Sequence, residues 1–271
     1  MSMKSLITLD PFDATHALVT SPFASPRALA TVRLAVGVYT FCTLVVSLIG
    51  DGTGFFSYFT HLSYTGLCAY FFASGTQTLV YAMRLGTMKA RMDVDVEYPL
   101  QRWPRALQLL HLALLSTIRV FPILVSVVFW GVISNGHTFD SSYDTWSAIS
   151  VHLLNSVFAL FEIFFTNTPR SEWIFLPLGL LLLAMYVGIV YITHTVEGFY
   201  AYKFMAPNGK PLSLALHILA VGAAYVVCFV VVYGFVAGRQ WLVARSRSAS
   251  DQNSTLQRAE SDLSEMGEMK V

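Results

Sequence analysis

Six apolar runs constrain this chain more than any other feature. They are Leu29–Ile49, Leu62–Met83, Leu110–Ser134, Thr145–Thr166, Ile174–Thr195 and Leu214–Ala237. About 20 residues of helix cross a hydrocarbon core of ~30 Å. Helix is also the form that satisfies every backbone group within its own segment. The sequence therefore predicts an all-α fold, a polytopic membrane protein built as a six-helix transmembrane bundle over residues 28–238. A segment of residues 1–27 precedes the bundle. Only 12% of residues are charged, about half the share in soluble domains.

Six spans put both termini on one side, and the cations say which. Lys4, Arg27, Arg33, Arg84, Lys89, Arg91, Arg102, Arg105, Arg170, Arg239, Arg245, Arg247, Arg258 and Lys270 fall on the side of the termini. Only Lys203 and Lys210 fall on the other, and Arg119 lies within a run. The positive-inside rule then predicts both termini in the cytosol. Met1–Pro26 lacks the compact apolar core of a cleavable signal, so the first span is expected to target the chain. The endoplasmic reticulum or the plasma membrane is the expected address.

Residues 239–271 differ in kind. The stretch beginning "RSRSASDQNST" is polar and Ser-rich, has little to bury, and predicts a disordered cytosolic tail. Its serines follow arginines, the pattern of a phosphorylation site and equally of a solvated terminus. The net charge of +1 implies no nucleic-acid partner. Cys42, Cys68 and Cys228 sit in apolar runs and imply neither a disulfide framework nor a zinc motif. No P-loop, GxGxxG or GxSxG motif is present, and no cofactor or metal is expected.

Polar residues inside the apolar runs are costly and mark candidate sites. The predicted orientation brings Thr60 and His61, His152 and Asn155, His194, and His217 toward the non-cytosolic face, on four different helices. His152 and Asn155 are three residues apart, so they share a helix face, and Glu162 follows on that face seven residues later. The stripe is expected to look into the bundle. Glu162, deeper toward the cytosol, is expected to pair with Arg119. The histidines have two further readings: interhelical hydrogen-bonding glue, and a metal or haem site formed by His61, His152, His194 and His217.

Three blocks carry a resemblance to a known family. "GFFSYFTHLSY" (Gly54–Tyr64) resembles the block that opens span two of the androgen-induced membrane hydrolases, threonine hydrolases of fatty acyl esters. "VHLLNSVFALFE" (Val151–Glu162) resembles their span-four block, and "THTVEGFYAYKFM" (Thr193–Met205) the block that ends span five, with His194, Gly198, Tyr202 and Phe204 matching. The related Rolling stone-like membrane proteins share the pattern. The resemblance covers roughly residues 30–237. It implies Thr60 as nucleophile, a histidine base, and a long-chain acyl ester drawn from membrane lipid as substrate. The family's catalytic histidine falls on Asn155, which cannot act as a base. His152, one turn away, or His194 would take that role, with Asn155 as supporting donor. Otherwise the chain is a non-catalytic membrane protein with an adhesion, fusion or scaffold role.

Overall fold

The computed structural model describes residues 12–88, 96–134, 138–207 and 211–268. Among them there is helix and no strand. Six long helices follow one another: α1 (Pro26–Asp51), α2 (Phe59–Met88), α3 (Arg105–Val128, closing in a π-helical turn over Phe129–Ile133), α4 (Ser142–Phe164), α5 (Phe175–Glu197) and α6 (Pro211–Glu268). Five of them, all but α2, are long and apolar enough to cross a membrane. This is the make-up of an integral multi-pass membrane protein.

The helix ends follow local chemistry. Ser25 caps α1 by accepting the Ala28 N–H, with Pro26 at the first helical position, where its missing donor costs nothing. Ser141 caps α4 through the Asp144 N–H. Gly198 stops α5 in the left-handed conformation at φ 80°, its N–H returning to the His194 carbonyl.

α2 explains why the second apolar run is less apolar than the rest. It packs between α1 and α3 and buries Ser74, Gln77 and Thr78 along with Tyr64, Leu67, Tyr70 and Phe71. A helix covered by protein can carry polar groups that find partners there: Gln77 accepts the Leu100 N–H at 2.9 Å. These inward-facing polar residues, Gln77 above all, are what lower the hydropathy of the run. The α1–α2 contact is tight at Gly75, where a Cβ would lie 2.9 Å from a Leu34 methyl and 3.2 Å from the Leu34 backbone nitrogen. Bulk at that position would force the helices apart.

α6 runs on through Glu268, into the stretch whose composition predicts disorder. The two statements concern different energies. Little apolar surface means little packing, but Ala, Leu, Gln, Glu and Arg are good helix formers, and a helix already nucleated extends without a new nucleation cost.

The end of the bundle where α1 begins is held by a buried polar network, and it corrects one expectation. Glu162 pairs with Arg33, not with Arg119. Arg33 Nε and Nη2 donate to the two Glu162 oxygens at 2.7 and 2.8 Å, and both residues are wholly buried. Tyr70 donates a third bond to Glu162, while Arg33 Nη1 reaches Thr78 Oγ1 and the Leu18 carbonyl. Arg119 instead donates to the Pro169 carbonyl at 2.7 Å and to Thr168 Oγ1. Arg239 donates to the carbonyls of Ile163 and Thr168. Arg239 thus sits at the C-terminus of α4, where carbonyls without helical partners carry the negative end of the helix dipole. Sequence spacing held the signal for Arg33. It lies in register with Gly37, Thr40, Thr43 and Ser47, the small and polar stripe by which α1 faces inward.

Candidate functional site

At the opposite half of the bundle a cavity of about 520 Å³ lies between the start of α2, the second half of α3, the middle of α5, the first half of α6 and the connection at 202–205. Its wall is almost wholly hydrocarbon, from Leu124, Val128, Leu183, Val187, Ile218 and Val226 among others. The polar side chains on it are Thr60, Tyr186 and Tyr202. Ala184, Leu219 and Ala223 belong both to the wall and to the exposed outer surface, so the cavity reaches the flank of α5 and α6.

The three hydroxyls form one cluster. Thr60 opens α2 and is buried. Tyr202 lines the wall beside Thr60 and Tyr186. Tyr186 donates to the Ser57 carbonyl at 2.8 Å, and behind it Thr193 donates to Ser57 Oγ at 3.1 Å. Burial pushes the Tyr202 phenol above its ordinary pKa, only partly offset by its polar neighbours. Tyr202 therefore stays protonated at neutral pH and is no general base.

The imidazoles stand elsewhere. His61, next to Thr60, stacks on Phe55 and has both ring nitrogens engaged: Nδ1 at 2.9 Å from the Phe55 carbonyl, so that Nδ1 carries the proton, and Nε2 at 3.4 Å from Asp51. His152 lies in a π-helical segment, Ile149–Leu154, and its ring stacks on Phe129, whose ring centroid is 3.5 Å away. Phe129 belongs to the cavity wall, so His152 backs onto the wall without lining it. Ser126 on α3 donates to the His152 carbonyl, and Ser156 donates to the carbonyl of Pro122, the proline inside α3. These bonds tie α4 to α3 beside the π-helical segment. His194 stacks on Tyr200 and His217 on Phe204.

Of the residues singled out by sequence, the structure puts Thr60 on the cavity wall and leaves His152, Asn155 and His194 off it. Among the described residues no hydrogen bond joins Thr60 to an imidazole, and no group of three or more His, Cys, Asp or Glu side chains could hold a metal ion. Asn155 is fully buried; its amide N–H donates to the Val151 carbonyl at 3.2 Å, and its Oδ1 has no partner. His152 Nδ1 and His194 Nδ1 are also buried without partners. Composition pointed to charged and imidazole groups and so passed over Tyr186 and Ser57. Tyr202 was within reach of the sequence, as one of the matched residues in the third block.

No family model, curated protein or solved structure matches the chain.

Proposed function

We propose that this protein takes an acyl lipid from the bilayer into the cavity between α3, α5 and α6 and binds its polar end at the Thr60–Tyr202–Tyr186 cluster. The observation that carries this reading is the cavity: hydrocarbon walls, hydroxyls grouped together, and wall residues continuous with the lipid-facing flank. Its volume lies within the roughly 300–1,000 Å³ of small-molecule sites. In this reading α2 is a sixth span whose polar side chains face protein, both termini are cytosolic, and the address is the endoplasmic reticulum or plasma membrane. Trp103, Trp173 and Trp241, all exposed, flank the end that carries Arg102, Arg105, Arg170 and Arg245, the arrangement of an interfacial aromatic belt on a positively charged side. Reporters placed after Val271 and in the 135–144 loop should lie on opposite sides of the membrane; the same side for both would overturn the topology.

The resemblance to intramembrane threonine hydrolases motivates a second reading, favoured by the position of Thr60 on the wall. Thr60 Oγ would attack the ester carbonyl carbon, pass its proton through a base to the departing alcohol, and keep the acyl group until water released it. The base would be His152, whose Nδ1 is unpartnered, or His194. The binding reading needs neither histidine, and it also describes a non-catalytic protein of the Rolling stone-like kind. Labelling of purified protein by a fluorophosphonate probe separates the two. Binding alone is expected to leave the wild type unlabelled. Labelling that disappears in Thr60→Ala and in His152→Ala would establish hydrolysis.

A further inference from the structure

The composition of the cavity wall limits what its occupant can carry. Not one Lys, Arg, His, Asp or Glu is among the residues that line it. Lys203, between two lining residues, has its side chain on the exposed surface and off the wall. A carboxylate or phosphate brought here would lose its hydration and meet no countercharge, which opposes its binding in an apolar site. The hydroxyl cluster is a poor substitute. Each hydroxyl has one proton to give and two lone pairs. Tyr186 has given its proton to the Ser57 carbonyl, which leaves the Thr60 and Tyr202 protons as the cluster's donors. Lone pairs outnumber protons there, and no donor carries a positive charge.

We infer that the cavity selects a single-chain lipid whose polar end is an uncharged oxygen group, an alcohol hydroxyl or an ester carbonyl, and excludes free fatty acids and phosphate-headed lipids. This rests on the binding reading above and narrows it. An alcohol would donate its proton to a Tyr202 or Tyr186 lone pair. An ester carbonyl would accept the Thr60 proton. In both, every group stays neutral, and the chain lies along Leu183, Val187 and Val226.

The test is displacement of tritiated hexadecanol from the full chain in phosphatidylcholine nanodiscs. The competitors are methyl palmitate, palmitate, hexadecyl phosphate and hexadecyltrimethylammonium. Hexadecanol should bind and methyl palmitate should displace it, with each charged competitor about tenfold weaker or worse. Tyr202→Phe should weaken hexadecanol binding about threefold to tenfold by removing one hydroxyl. Gly222→Trp should abolish it: a Cβ there meets only a Leu180 methyl at 4.0 Å, so the indole has the cavity to fill. Leu183→Phe narrows the same space should the tryptophan variant fail to fold. Palmitate or hexadecyl phosphate competing as well as methyl palmitate would overturn the selection for neutral headgroups and leave the binding reading standing. Stronger competition by the trimethylammonium probe would mean that the aromatic wall of Phe59, Phe129 and Phe204 recognises a cation, and would overturn it too. Hexadecanol binding that is absent, or that persists undiminished in both cavity-filling variants, would overturn the binding reading together with the inference.

Discussion

The two halves of the bundle differ in what they do with their buried polar groups. At the end where α1 begins, Glu162 receives three hydrogen bonds from Arg33 and Tyr70, and Arg239 bridges the Ile163 carbonyl in the last turn of α4 and the Thr168 carbonyl beyond it. In the other half Asn155 Oδ1, His152 Nδ1 and His194 Nδ1 are buried without partners, near a cavity with room for a guest. An unpaired buried polar atom costs about 1–3 kcal/mol, and a void forfeits dispersion contacts besides. The first half pairs its charges closely and, among the described residues, leaves Arg119 Nε and Ser74 Oγ as its open atoms. The other keeps groups and space that folding alone would have eliminated, which is where function is to be sought.

The harshest way to break that contrast is to attack the ion-paired half at its centre. Glu162→Gln leaves the Arg33 guanidinium buried without its countercharge and is expected to cost about 3–5 kcal/mol. Loss of thermal stability in detergent-purified protein measures it. The double change Arg33→Met with Glu162→Met should recover much of the loss, since apolar replacements of similar volume relieve both desolvation costs. A double variant no more stable than Glu162→Gln would show that the pair supplies stability beyond its own neutralisation.

Arg119 comes next. Replacing it with Met removes bonds to Pro169 and Thr168 that involve a charged donor, worth about 1.5–3 kcal/mol each in such settings. Arg119 feels the charge of Glu162 but shares no hydrogen bond with it. Its double-mutant coupling to Glu162 should therefore be clearly smaller than that of Arg33 to Glu162. The reverse order would restore the pairing that the sequence suggested.

A matched pair of substitutions on α6 sharpens the comparison at lower cost. Val232 is buried in the packed core, and Val226, six residues earlier, faces the cavity. Val232→Phe must displace close-packed neighbours and should cost about 1–3 kcal/mol. Val226→Phe enters empty space and is expected to be neutral to within about 1 kcal/mol. Chemical denaturation or thermal scanning of the two variants side by side decides it. Equal penalties would mean that the cavity is not compliant space at all.

How far the sequence could be read follows from the same physics. The helices were legible as long apolar runs, and the weakest run, Leu62–Met83, belongs to the helix whose inward face carries Ser74, Gln77 and Thr78. Glu162 was legible as a residue that must look inward. Its partner was only half legible: the stripe of Gly37, Thr40, Thr43 and Ser47 marks Arg33 as inward-facing, but the approach of α1 to α4 is what chooses it over Arg119. Thr60 was found through its block, but the company it keeps, Tyr186 on α5 and Tyr202 in the next connection, depends on how α2 meets α5. No local period encodes that. The histidines shared one half of the molecule, yet each stacks on an aromatic ring of its own. Nearness along the membrane normal says nothing about direction around a helix axis.

The smallest effect concerns the segment that leads into α1. Asp13 is buried beneath the bundle, accepts the Ala17 and Leu18 N–H groups and the Tyr98 hydroxyl, and has its pKa raised because burial outweighs those three bonds. A carboxyl whose folded pKa is raised favours the fold when protonated. Its contribution is full below the ordinary value of 3.8 and is lost as pH rises through the raised folded value. The effect is small because burial and hydrogen bonding oppose each other at one group. Asp13→Asn removes the titration while keeping an oxygen acceptor. The stability of the wild type relative to Asp13→Asn should therefore fall as pH climbs from below 3.8 and then level off, read from unfolding midpoints across a pH series. A relative stability that rises over the same interval would mean that the three bonds outweigh burial and hold Asp13 ionised. Asp13 would then join Glu162 as a second carboxylate that the bundle is built to keep charged.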